Sequence, residues 1–115
     1  MMYYMTSEPY KNPKKSAYSC ELYNSEFEKQ FMDELEKDPK VSKWTKNHNI
    51  RIPYVNTDGK VGHYNPDFLV EYTDGSQELI EIKGKNLLTE ITERKQKAAK
   101  EWCEKRDIKY RLIIL

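Results

Sequence analysis

The chain has 115 residues, 34% of them charged and 37% hydrophobic, with a net charge of only +1 and a mean hydropathy of −0.96. That is one domain's worth of sequence around a single core. It carries no apolar run long enough for a membrane span and no signal-peptide pattern, and two cysteines, Cys20 and Cys103, make no disulfide framework.

Residues 1–24 hold five tyrosines, Pro9, Pro13 and three lysines without a clear period. They read as an irregular N-terminal arm that packs on the domain or pairs with a partner chain. The alternative is an arm that lays lysines along a phosphate backbone and stacks tyrosines on bases.

Helix signals begin at Ser25. Ser25 as N-cap and Glu28 three residues on form a capping-box pattern, and Pro39 ends the run. Phe27, Phe31, Met32 and Leu35 recur at helical spacing, so the spacing predicts a helix over 25–37. Glu28 shares their side of the helix. It is read either as the capping-box acid alone or as a carboxylate aimed at a site beneath the helix.

Residues 41–46 are expected to be a short helical or irregular stretch. Residues 49–55 read as a strand, with Pro53 marking an edge or bulge. Asp58-Gly59 is a turn before a run from Val61 to Val70, and its partner spans 77–83. Register in that pair decides which side chains meet. A two-residue Asp74-Gly75 turn would set Asp67 against Ile82. A three-residue loop, Thr73-Asp74-Gly75 with Gly75 left-handed, sets Asp67 against Glu81 and Phe68 against Ile80. Only the second puts Phe68, Val70, Ile80 and Ile82 on one apolar face, and it is the register expected. Asp67, Glu81 and Lys83 then share the opposite face at one end of the hairpin.

After the Gly84-Lys85-Asn86 break, a helix is expected from about 88 to 105. Its inner side would hold Ile91, Lys95, Ala98, Ala99, Trp102 and Cys103. A last strand follows at 110–115, parallel to an earlier one because the connection crosses over a helix. His48 and His63 lack metal-ligand spacing and read as surface or strand residues.

Two carboxylates and a lysine at one hairpin end are the parts for holding Mg²⁺ and cutting a phosphodiester. Mg²⁺ takes hard oxygen ligands and keeps several waters. Asp67 and Glu81 would supply two such ligands and the Ile82 carbonyl a third, while Lys83 would offset charge developing at phosphorus. The plain alternative is a surface salt bridge on an ordinary hairpin. Charge is unevenly spread: residues 21–38 hold seven acids and two lysines, net −5, and residues 83–111 hold ten bases and five acids, net +5. A basic face of that kind suits phosphate contacts, with Lys85 the nearest candidate, although solvated helix lysines give the same count.

Ser25-Glu26-Phe27-Glu28, Tyr64-Asn65-Pro66-Asp67-Phe68 and Glu81-Ile82-Lys83-Gly84, in this order of elements, resemble the PD-(D/E)XK nuclease superfamily. The likeness covers about residues 25–115. Locally the text is similar to the amino-terminal endonuclease domain of TnsA proteins and to type III restriction endonuclease domains, and phage junction resolvases share the pattern. The resemblance implies an α/β fold with an αβββαβ restriction-endonuclease-like core, a mixed sheet flanked by helices. It implies a Mg²⁺-dependent DNA endonuclease, with Mn²⁺ as substitute. Glu28, Asp67, Glu81 and Lys83 would be catalytic, and Asp67, Glu81, Ile82 and Glu28 would face metal. It implies DNA as partner, a homodimer or a recombination or restriction protein beside it, no membrane, and a cytoplasmic bacterial, archaeal or phage setting. The opposing expectation is a non-catalytic nucleic-acid-binding module on the same scaffold.

Overall fold

The computed structural model describes residues 3–84 and 89–115, with side chains from residue 6 onward among them. The elements run β1 (Tyr3–Lys11), β2 (Cys20–Ser25), α1 (Glu26–Lys37), β3 (Val41–Thr45), β4 (Ile52–Val55), β5 (Val61–Tyr64), β6 (Phe68–Tyr72), β7 (Gln77–Lys83), α2 (Glu90–Glu104) and β8 (Lys109–Ile114). The central sheet is mixed, in the order β3-β6-β7-β8, with β8 parallel to β7 and the other pairs antiparallel. Two hairpins, β1-β2 and β4-β5, stand apart from it.

The β6-β7 hairpin has the expected register. Phe68 pairs with Ile80 and Val70 with Glu78. Tyr72 N–H donates to the Ser76 carbonyl and Gly75 N–H to the Tyr72 carbonyl, closing a three-residue loop in which Gly75 has φ +87°. A side chain there would be strained although space is open around it.

Alternation along these strands makes two cores. Phe68, Val70 and Ile80 face α1 and pack with Met32, Leu35, Val41 and Trp44, all buried. Leu79 faces the other way and packs with Ala99 and Cys103 of α2 and with Ile52 and Tyr64 of the β4-β5 hairpin. Phe68 is fully buried, with Phe31 edge-on at 5.1 Å and Trp44 tilted at 6.1 Å. Truncating a phenylalanine in such a setting costs about 3–5 kcal/mol.

Four expectations are corrected. Residues 41–45 are a strand of the central sheet, not a helical or irregular stretch. A register shift between Val41 and Lys43 turns both Val41 and Trp44 inward, so the strand carries a helix-like spacing of three. The strand expected at 49–55 begins at Ile52, after Asn49 takes a left-handed φ of 59°, and it pairs only with β5. The run 61–70 is broken at residues 65–67, where Pro66 is buried between β5 and β6. Residues 3–25 are a β-hairpin against α1, not an irregular arm. Its alternation is carried by polar side chains: Glu21 and Ser25 are buried while Leu22 points out, 53% exposed.

Helix α2 begins at Glu90 behind the N-cap Thr89, whose hydroxyl accepts from Thr92 N–H. Ala99 and Cys103 lie inward as expected, whereas Ile91 is exposed. Among the described residues no helix is long and apolar enough to cross a membrane.

Candidate active site

Four element ends converge at one end of the central sheet's strands. The turn into β6 delivers Asp67, the end of β7 delivers Glu81, Ile82 and Lys83, the end of β3 delivers Lys46, and the first turn of α1 delivers Glu28. Thr45 pairs with Leu69, and Lys46, next along, carries its ammonium over the Phe68 ring.

Asp67 and Glu81 are laced together through the backbone. Asp67 N–H donates to Glu81 Oε1 at 3.0 Å, and Ile82 N–H donates to Asp67 Oδ2 at 2.9 Å. Lys83 Nζ lies 3.6 Å from Glu81 Oε2. Glu81 is 7% exposed. Burial and then the neighbouring Asp67 charge push its carboxyl up to about 8, against the pull of Lys83. Burial likewise raises Asp67, while the Ile82 N–H and Lys46 pull the other way and Glu28 adds to the rise. The two carboxylates are thus short of positive charge.

Pro66 and Asp67 are held from outside the hairpin by His48. Ile50 N–H donates to His48 Nδ1 at 3.0 Å, so Nε2 carries the hydrogen and donates to the Pro66 carbonyl at 2.7 Å. Burial holds this imidazole below its ordinary pKa, which keeps it neutral. His48 is therefore a half-buried brace and not a surface residue, and nothing in its spacing could have announced that. His63 is exposed on β5, as read from the sequence.

Beneath the carboxylates, Tyr64 and Tyr110 place their hydroxyls 3.1 Å apart. Burial raises both phenols, Tyr110 to about 12, with Glu81 contributing to each. They stay neutral and form the floor of the site.

Glu28 sits at the edge of this group. Its N–H is capped by the Ser25 hydroxyl at 3.2 Å, so the hydroxyl half of the capping box forms. Its carboxylate reaches the Asn24 N–H, at 3.2 Å, and Lys46 Nζ, at 2.5 Å. Of the side chains gathered here, the sequence singled out Asp67, Glu81, Lys83 and Glu28 as candidates but not Lys46, because β3 was not read as a strand. Lys85, expected at a phosphate, lies outside the described residues. Among the described residues no group of three or more His, Cys, Asp or Glu side chains is placed to hold a metal ion. Any cation here would rest on the Asp67–Glu81 pair, backbone and water.

Residues 38–114 match the family model for the TnsA-like endonuclease N-terminal domain. The chain belongs to that family. With it comes the PD-(D/E)XK-like nuclease fold and a nuclease-related role. The matched stretch takes in Lys46, Asp67, Glu81 and Lys83 and begins after α1, so Glu28 stands outside it. No curated protein and no solved structure matches the chain.

Proposed function

We propose that this domain is a Mg²⁺-dependent DNA endonuclease, with Mn²⁺ able to replace Mg²⁺. One observation carries the reading: two carboxylates, the half-buried Asp67 and the buried Glu81, share one end of the central strands with too little positive charge to balance them. The arrangement fits a hard divalent cation, since its donors are oxygens and burial pushes both acids up, Glu81 further through the neighbouring Asp67 charge. The Ile82 carbonyl fits as a third oxygen. In an extended strand a residue's N–H and C=O point to the same edge, and the Ile82 N–H already points to Asp67. When bound, the metal would supply Lewis-acid activation of water and of the phosphoryl oxygen.

The chain's own residues do the rest. Asp67 and Glu81 fix where positive charge sits. Lys83 lies beside Glu81, where its ammonium steadies the negative charge that grows on the phosphoryl oxygens. His48 holds the Pro66–Asp67 turn, and Tyr64 and Tyr110 exclude water from below. The reaction is hydrolysis. Water oxygen bonds to phosphorus, the phosphorus–oxygen ester bond breaks, and the leaving sugar oxygen takes a proton. The order α1-β3-β6-β7-α2-β8, with β4-β5 as an insertion, supports this reading as an αβββαβ core.

Purified protein should cleave linear duplex, branched or single-stranded DNA only with Mg²⁺ or Mn²⁺. Asp67→Asn, Glu81→Gln and Lys83→Met should each lower turnover on the order of 10²-fold or more while binding persists. Ca²⁺ should support binding with little cleavage. DNA binding with no cleavage on any of these substrates would leave the domain a binding module; equal cleavage by the triple variant would place the activity elsewhere.

A further inference from the structure

The proposed chemistry has left Glu28 unused and, beside it, Lys46. Its side chain is only 18% exposed. Its backbone N–H is fixed by the buried Glu21 carboxylate at 2.9 Å. From there the ammonium passes over the Phe68 ring, 5.5 Å from its centre, and ends on Glu28. Backbone, stem and head are thus each held, which is unusual for a lysine, normally a flexible and solvated charge.

Glu28 is correspondingly occupied. It accepts from Lys46 Nζ and the Asn24 N–H, and the Asn24 side-chain amide, with its nitrogen turned inward, lies 2.8 and 3.0 Å from the two carboxylate oxygens. A carboxylate with those donors around it has little capacity left for a metal ion. Lys46 and Glu28 are both close enough to Asp67 to act on its carboxyl, with opposite signs. The ammonium is thus bonded to the helix acid and also pulls on the strand acid, the two charges that a second divalent ion would otherwise neutralise.

We infer that the Lys46 ammonium stands in for a second metal ion: the site takes one divalent cation, on Asp67 and Glu81, and Glu28 holds Lys46 instead of metal. This rests on reading Asp67 and Glu81 as a metal site. It revises the expectation that Glu28 is a ligand. It also gives Lys46 a task distinct from that of Lys83, whose ion pair is with Glu81.

Counting bound Mn²⁺ by electron paramagnetic resonance titration of the whole chain tests it without relying on activity. Wild type should bind one Mn²⁺. Glu28→Gln should also bind one, with affinity changed by less than about threefold, whereas loss of a true ligand would weaken binding about tenfold or more. Lys46→Met should open a second site on Glu28 and Asp67 and bind two. Two ions in wild type, a tenfold loss in Glu28→Gln, or a single ion in a folded Lys46→Met each overturn the inference. If Lys46→Met does not fold, the Glu28→Gln affinity decides alone. No Mn²⁺ bound by wild type would sink the metal-site reading itself, a result distinct from two.

Discussion

Glu21 on the one hand and the Asp67–Glu81 pair on the other are carboxylates drawn out of water in opposite ways. Glu21 in β2 is 2% exposed and accepts from three donors: the Ser16 hydroxyl at 2.5 Å, the Thr45 hydroxyl at 2.7 Å and the Lys46 N–H at 2.9 Å. The half-buried Asp67 and the buried Glu81 lie against each other, with one backbone N–H apiece and a lysine 3.6 Å from Glu81. A carboxylate ringed by donors is a structural fastener, and Glu21 ties the N-terminal hairpin to the end of β3. Two carboxylates short of donors raise the energy of the folded chain and make a place for a cation. Burial alone does not mark a functional acid; the count of partners does.

The sharpest way to break that contrast is to remove one acid from each place and measure metal-free stability by urea unfolding. Glu21→Ala strands three donors and should cost about 3 kcal/mol. Asp67→Asn keeps an acceptor for the Ile82 N–H but removes a like charge, so it should be neutral or stabilising by about 1 kcal/mol, while cleavage is lost. If Asp67→Asn destabilises as much as Glu21→Ala, the pair is structural and the contrast fails.

A gentler probe is pH. The Glu81 carboxyl is raised from the ordinary 4.5 to about 8 in the folded chain. Between those values the folded state holds a proton that the unfolded chain has released, so stability falls as pH rises. The contribution is complete below about pH 4.5 and lost through about pH 8. On the proposed function a divalent cation would take the proton's place, so Mg²⁺ should raise the melting temperature most above pH 8 and least near pH 5. Glu81→Gln should flatten both trends. A Mg²⁺ effect that is constant across this range would mean that the cation does not displace the Glu81 proton.

Much of this was legible in the sequence, for reasons that differ by element. The β6-β7 register could be read because two independent signals agreed: Gly75 suits the left-handed position of a three-residue loop, and only that loop gathers Phe68, Val70 and Ile80 on one face. Helix α1 could be read because Ser25 caps it and Met32 and Leu35 repeat at helical spacing. The β1-β2 hairpin could not, since its inward residues include Glu21 and Ser25 and its exposed ones include Leu22, the reverse of the usual hydropathy pattern. β3 was hidden by its bulge, and with it Lys46. His48 was hidden because its role depends on Ile50 and Pro66 meeting in space, which spacing along the chain does not encode.

The smallest expected effect tests whether the number of its donors is what makes Glu21 a fastener. Ser16→Ala removes one of three, and the carboxylate keeps Thr45 and the Lys46 N–H. The loss should be about 1 kcal/mol, near the worth of a single hydrogen bond, and not the larger cost of an orphaned charge. Thr45→Ala alone should cost a similar amount. The double variant should cost more than the two singles together, because the charge then leans on one backbone amide, which is the situation of Glu81. Coupling between sites that share a partner is what a double-mutant cycle measures. Simple additivity would show that each hydroxyl acts by itself, and the distinction drawn between the ringed and the paired carboxylates would have to rest on charge alone.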